Sequence, residues 1–88
     1  AIVAMRVAQA MGRQIPQSLS IIGFDDIDLA QHVSPPLTTM HVDKIKMGRL
    51  AVQLLRDRLE DSQSPQVTAT IRPRLIERAS TSLKFTKI

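Results

Sequence analysis

Leu19-Ser20-Ile21-Ile22-Gly23-Phe24-Asp25-Asp26 places a short apolar run directly before two acidic residues. The run is too short for a helix and turn-forming residues flank it, so it predicts a strand buried on both faces, as in a parallel sheet. Open α/β sheets bind their ligands beyond the carboxyl ends of such strands. The stretch therefore predicts an α/β fold with a candidate site at the paired acids.

A helix is expected before this strand. Residues 1–11 are rich in Ala, Val and Met, and no capping residue precedes them, so we expect the chain to begin within a helix. Gly12 supplies the left-handed stop, and Pro16 lies beyond it, where the helix could not continue. The end of this helix is therefore well marked in the sequence.

The segment after the paired acids predicts a turn and a second strand. A short helical turn is expected over residues 27–32. Pro35-Pro36 then forbids helix and leads into a strand over residues 37–42. The sequence thus supplies a second strand for the sheet.

A longer helix is predicted from residue 43 to residue 61, with Asp43 as its cap. Its apolar side chains recur at the spacing of one helix face. They are Met47, Leu50, Ala51, Leu54, Leu55 and Leu59. Gly48 lies within this face and suggests a close approach by another backbone. Further on, alternation predicts a half-buried strand over residues 67–72, and Leu75-Ile76 forms a short extended piece after Pro73.

The order helix, strand, strand, helix, strand, strand predicts a layered α/β sheet flanked by helices. The sheet is incomplete, because a buried parallel strand needs neighbours on both edges and the sequence provides few of them. We therefore expect the isolated chain to cover its apolar faces by self-association.

Composition is that of an ordinary folded domain. The chain has 88 residues, of which 43% are hydrophobic, 23% charged and 2% aromatic, so the core must be aliphatic. The net charge of +4 is spread along the chain without Tyr or Trp, which favours a solvated basic surface over a nucleic-acid site. Cysteine is absent, which excludes disulfides and thiolate chemistry. No signal peptide or membrane span is predicted, and we expect a cytoplasmic protein.

Few residues suggest catalysis or metal binding. Asp25, Asp26 and Asp28 lack the glycine and distal glutamate of a calcium loop, so a cation site is disfavoured. Asp26 is instead expected to cap the following turn. His32 and His41 have no acidic or thiol partner at ligand spacing and are interpreted as surface or interface residues. No nucleophile elbow or phosphate loop occurs, so we predict no catalytic residue, no cofactor and no enzyme activity.

Five sequence blocks, in order and at the expected separations, resemble the closing third of LacI/GalR-family repressors. The blocks are Gly12-Arg13-Gln14-Ile15-Pro16, Leu19 to Asp26, Pro35-Pro36-Leu37-Thr38-Thr39, Met47-Gly48-Arg49-Leu50-Ala51, and Pro73 to Thr81. The resemblance covers roughly residues 1–81. It implies a fragment of a periplasmic-binding-protein-like fold, in which an effector occupies the cleft between two α/β subdomains joined by crossing strands.

The resemblance also implies a division of the chain. Residues 1–39 would belong to the C-terminal effector-binding subdomain, and residues 40–70 to a crossover and a helix of the N-terminal subdomain. Residues 71–81 would return to the C-terminal subdomain, and residues 82–88 would form a tail. The DNA-reading head, the hinge helix and most of the cleft wall are expected to lie outside this sequence.

Candidate site residues follow from the same resemblance. Asp25 corresponds to the family's ligand-contacting aspartate, whose two oxygens suit sugar or ribose hydroxyls. Val42 and Lys44 would lie near the cleft. The family's dimer interface places a further set of residues between subunits. This set is Ile2, Met5, Arg6, Gln9, His32 and Val33.

The implied function is effector sensing in a dimeric transcription repressor. A small-molecule effector, with a sugar as first candidate and a nucleoside as another, would bias one cleft geometry and so change DNA affinity. Operator DNA would be contacted only through the N-terminal head. The alternative is a periplasmic-type sugar-binding protein without a DNA role, and a helix-turn-helix upstream in the parent gene would decide between them.

Overall fold

The computed structural model describes residues 1–83 of the chain. Two helices, a 3₁₀ turn and three short strands follow one another along it. They are α1 (Ile2–Ala10), β1 (Ile22–Phe24), the 3₁₀ turn (Asp28–Gln31), β2 (Thr38–His41), α2 (Lys44–Glu60) and β3 (Arg74–Ile76). The predicted tail, residues 82–88, lies outside the described residues from Lys84 onward.

The three strands form one mixed sheet in the order β1-β2-β3. β1 and β2 are parallel, with Ile22 opposite Thr38 and Phe24 opposite Met40. β3 runs antiparallel to β2 and places Arg74 opposite His41. The parallel pairing and the α/β class confirm the prediction from the sequence.

β1 is shorter and more exposed than predicted. It covers three residues, and the side chains of Ile22 and Phe24 are 59% and 61% exposed. The expectation of a strand buried on both faces is wrong for the described part of the chain, because β1 pairs there with β2 alone. An apolar strand at a sheet edge keeps its β-forming composition but lacks the neighbours that would cover it.

α1 ends where the sequence indicates. Gly12 adopts φ +81°, the left-handed conformation that glycine enters without a Cβ penalty. Just after it, the Arg13 backbone N–H donates to the Ala8 carbonyl at 2.9 Å, which satisfies one of the helix's last acceptors. The predicted stop at Gly12 is therefore confirmed.

An aliphatic core joins α1 to the start of β2. Its buried side chains are Met5, Ala8, Ile15, Ala30 and Leu37, and Ile2, Ile21 and Val33 pack against them. The cluster contains no aromatic ring, as the composition requires. This core contacts the residues that lie directly before β1 and β2.

α2 begins at the predicted cap. The Asp43 carboxylate accepts a hydrogen bond from the Lys46 backbone N–H at 2.9 Å. None of the helix residues is buried, and Leu59 is 77% exposed. A Cβ at Gly48 would meet no atom within 4 Å, so the predicted close approach at this glycine is wrong among the described residues.

The strand predicted over residues 67–72 is also wrong. These residues form no strand, and the antiparallel partner of β2 is Arg74–Ile76. Alternation of polar and apolar residues predicts an extended backbone, but a strand also needs a partner edge. In this chain the second edge of β2 is taken by the piece after Pro73.

The chain divides into two compact units. The first contains Ala1–His41 and the segment that begins at Arg74, and the second is Val42–Pro73. The first unit contains the sheet, α1 and the core, whereas the second contains α2. The assignment of these parts to the subdomains of a larger protein stays a prediction. Within residues 1–83, neither helix combines the length and apolarity that crossing a bilayer requires.

Candidate functional site

The paired acids form a left-handed turn directly after β1. Asp25 has φ 87° and Asp26 has φ 48°, a region that residues other than glycine seldom adopt. Such residues cost on the order of 1 kcal/mol or more unless the surroundings hold them. The backbone N–H of Asp25 donates to the Met40 carbonyl at 2.9 Å, and that of Asp26 donates to the Thr39 hydroxyl at 3.3 Å. β2 therefore restrains both residues of the turn.

The Asp26 side chain bridges two other segments. Its Oδ2 lies 2.9 Å from His41 Nδ1, at the end of β2. Its Oδ1 lies 2.8 Å from Arg78 Nη2 and forms an ion pair with the guanidinium. The carboxylate is 12% exposed and the Arg78 side chain 16% exposed, so this ion pair is largely removed from water, whereas the His41 side chain is 40% exposed. We call Asp26, His41 and Arg78 the Asp26 bridge.

The Asp26 bridge corrects two expectations. The 3₁₀ turn has Ile27 as its N-cap and no side-chain cap, so Asp26 is not the cap predicted for it. His41, which was interpreted as isolated, has an acidic partner 15 residues earlier in the chain. Spacing along the chain does not reveal this pair. The parallel register of β1 and β2 does, because it brings the end of β2 beside the residues that follow β1.

The environment of Asp26 favours its ionised form. Burial raises the pKa of this carboxyl group, but the contacts of Arg78 and His41 lower it by more, and the resulting pKa lies below the ordinary aspartate value. Asp26 therefore carries its negative charge at neutral pH, beside the guanidinium that balances it.

Residues 78–81, which follow β3, connect to the residues at the starts of β1 and β2. The Arg78 Nη1 donates to the Leu37 carbonyl at 2.9 Å. Ser80 is fully buried, and its hydroxyl accepts from the Thr38 backbone N–H at 2.8 Å and donates to the Ile21 carbonyl at 2.6 Å. Thr81 contacts the Thr38 hydroxyl at 2.8 Å. We call residues 78–81 the closing segment, since they fix the positions from which β1 and β2 begin.

The predicted effector residues lie in different parts of the chain. Asp25 follows the carboxyl end of β1 in the first unit and is exposed. Val42 and Lys44 belong to the second unit, where Val42 is buried and Lys44 is exposed at the start of α2. The position of Asp25 at a strand end agrees with the sequence analysis. Contact between these residues and an effector stays a prediction.

The residues predicted for the dimer interface line one groove in the first unit. The groove has a volume of about 290 Å³ and lies between α1 and the segment around the 3₁₀ turn. All six residues line it, and Leu29 and Ser34 complete it. The Gln9 side chain bridges the groove by donating to the Ser34 carbonyl at 2.8 Å. Met5 is buried and forms its floor.

The described residues include no cluster of three or more His, Cys, Asp or Glu side chains that could hold a metal ion. Asp25, Asp26 and Asp28 are close in sequence, but the Asp26 carboxylate is already occupied by the bridge to His41 and Arg78. Asp26 is therefore arranged for ion pairing within the protein.

Comparison with known proteins supplies the family. Residues 1–81 match the model of the periplasmic binding protein-like domain. Over 82 residues the chain is 35% identical to the HTH-type transcriptional repressor PurR of Aliivibrio fischeri (strain ATCC 700601 / ES114). The match covers 93% of this chain and 24% of the repressor, so the chain spans about a quarter of the length of this curated relative.

Solved structures give the same result. A LacI family transcriptional regulator from Enterococcus faecalis V583, with bound ribose, superposes with a TM-score of 0.82 at 36% identity, over 89% of this chain and 29% of the regulator. The transcriptional regulator CelR in complex with cellobiose superposes with a TM-score of 0.83 at 34% identity, over 88% and 24%. The chain therefore belongs to the periplasmic binding protein-like family and corresponds to a fragment of the effector domain of LacI/GalR-type transcription regulators.

Proposed function

We propose that this chain is part of the effector-sensing domain of a transcription repressor, and that Asp25 contacts a sugar or a nucleoside-like molecule. The observation that carries the proposal is the position of Asp25, beyond the carboxyl end of a parallel strand, in a fold shared with regulators that bind ribose and cellobiose. Open α/β sheets place their ligands at this edge. Val42 and Lys44 are the further candidates for effector contact.

The chemistry of the turn suits a polyhydroxylated ligand. An aspartate offers two acceptor oxygens, and hydrogen bonds to an ionised carboxylate are stronger than those between neutral groups. Asp25 is exposed, while the Arg78 guanidinium is engaged by Asp26. The Asp25 carboxylate would thus accept hydrogen bonds from ligand hydroxyl groups, which suits a sugar.

Sensing requires that the effector bind one conformation of the whole protein better than another. In the proposed protein the cleft closes on the effector, and the change passes through a dimer to operator DNA in the cytoplasm. The groove lined by Ile2, Arg6, Gln9, His32 and Val33 is the candidate dimer surface. The DNA contacts belong to a head outside this sequence.

Calorimetry on the full-length protein tests the proposal with ribose, cellobiose and adenosine as probes. We expect binding of at least one probe, together with a change in affinity for the DNA upstream of the protein's own gene. Reciprocity gives a control, because DNA must then change the affinity for the probe by the same factor. Sugar binding without any DNA binding would instead identify a binding protein that has no DNA role.

A further inference from the structure

The direction of the Asp25 side chain depends on a turn whose left-handed backbone conformation is uncommon for residues other than glycine. Both Asp25 and Asp26 are left-handed. A return to the extended region at Asp25 would swing its carboxylate to another side of the strand end, and one at Asp26 would displace the chain that follows. The backbone restraints on this turn come from β2, through Met40 and Thr39. The hydrogen bond from the Asp26 N–H is the longer of the two, at 3.3 Å.

The Asp26 side chain supplies the restraints that the backbone lacks. His41 holds one carboxylate oxygen at 2.9 Å and Arg78 holds the other at 2.8 Å. The two partners belong to different segments of the first unit and approach the carboxylate through different atoms. A carboxylate held at both oxygens cannot follow its backbone into another conformation without breaking both contacts. Arg78 also donates a hydrogen bond to the carbonyl of Leu37, the residue before β2, so the Asp26 bridge is attached to the start of this strand.

We propose that Asp26 is a positioning residue, through which His41 and Arg78 hold the left-handed turn that directs Asp25 toward the effector. The inference rests on the proposed function for its consequence in binding, but its structural part concerns the turn alone. His41 and Arg78 thereby set effector affinity without touching the effector. A simple ion pair that only stabilised the fold would have no such effect on Asp25.

The test changes the partners and leaves Asp25 and Asp26 untouched. In the full-length protein, His41→Ala removes one contact, and His41→Asn keeps a donor near the position of Nδ1. Arg78→Met keeps the aliphatic stem and loses the charge, and Arg78→Lys restores a cation. Ser18→Ala is the matched control, since it removes the hydrogen bonds between the Ser18 side chain and the Gln14 backbone in the same unit without touching the sheet or Asp26.

Two readouts separate positioning from folding and from function. The first is deuterium exchange at the Asp26 amide, whose hydrogen bond to the Thr39 hydroxyl lies within the turn. The second is calorimetric affinity for ribose. We expect His41→Ala and Arg78→Met to speed exchange and weaken ribose binding, each by about tenfold, the scale of one hydrogen bond to a charged group. His41→Asn and Arg78→Lys should restore most of both.

Ser18→Ala should leave both readouts unchanged. Wild-type exchange in His41→Ala and Arg78→Met would overturn the proposal, as would an equal response in Ser18→Ala. Fast exchange with unchanged ribose affinity would overturn the link to the effector. If the wild-type protein binds no ribose, the proposed choice of effector is wrong, and the exchange measurements alone then decide whether the bridge holds the turn.

Discussion

At the scale of single residues, two neighbouring aspartates have different environments. Asp25 is exposed at the end of β1, whereas Asp26 is nearly covered and ion-paired. The difference arises from the turn, which sends the two side chains to different neighbours. Asp26 is committed to the structure by its contacts with His41 and Arg78, while Asp25 is the candidate for recognition.

Replacing Asp25 by alanine should weaken effector binding by about 10- to 150-fold, which corresponds to about 1.5–3 kcal/mol for a hydrogen bond to a charged group. Titration calorimetry of the full-length protein with ribose measures the change. Asp28→Ala is the matched control, because Asp28 is also exposed and lies in the adjacent 3₁₀ turn. Equal affinities for wild type and Asp25→Ala would remove Asp25 from the site.

The lowered pKa of Asp26 predicts an acid-sensitive fold. Its folded-state pKa lies below the unfolded value of about 3.9, so its contribution to stability is complete above that pH and is lost as the pH falls through the folded-state pKa. The Asp26→Asn variant has no carboxylate at this position, so its stability lacks this pH-dependent contribution. The gap in melting temperature between wild type and Asp26→Asn should be constant above about pH 5 and narrow below about pH 4. A gap that is independent of pH would contradict the assignment.

At the scale of elements, helix ends follow signals in the nearby sequence, whereas strands depend on the strands beside them. α2 begins at its cap and α1 ends near its glycine, because each signal acts within one turn of helix. The strands depend on what lies beside them. β1 ends up exposed and residues 67–72 form no strand, since the described residues offer neither of them the necessary neighbour.

The two glycines at helical segments should respond oppositely to alanine. Gly48→Ala should stabilise the protein by about 0.5–1 kcal/mol, because the position is helical and a Cβ there meets no atom within 4 Å. Gly12→Ala should be destabilising by about 1 kcal/mol, since φ +81° is unfavourable for alanine. Urea unfolding gives both values. A destabilising Gly48→Ala in the full-length protein would reveal a neighbour from another segment.

The sequence predicted the local features and missed the pairing at the site. Asp43 and Gly12 could be assigned from their immediate surroundings, and Asp25 could be placed by a resemblance together with a strand end. Asp26 contacts His41 and Arg78, which lie 15 and 52 positions further along the chain. Such a bridge exists only once the sheet has set its register, and no periodicity in the chain records it.

At the scale of the whole molecule, the chain has more apolar surface than its own core can cover. The apolar side chains of β1 and of α2 remain exposed, in both compact units. Exposed apolar surface marks an interaction site or an association hazard. The chain matches about a quarter of the length of the repressor to which it is similar.

The 88-residue chain on its own should therefore self-associate. Ile22, Phe24, Leu55 and Leu59 are each more than half exposed, and together they offer apolar surface on both units. Sedimentation velocity should show species larger than 9.8 kDa that shift toward smaller size on dilution. Placing the same residues within the full-length protein is the control and should remove the effect. A stable monomer at all concentrations would contradict the prediction.

The closing segment sets a practical limit on trimming. A protein ended before residue 78 would leave the amide of Thr38 and the carbonyls of Ile21 and Leu37 without their present partners, and it would free the Asp26 carboxylate from its cation. A premature stop codon there would thus impair ligand recognition some fifty residues upstream, even though every proposed ligand contact would still be translated.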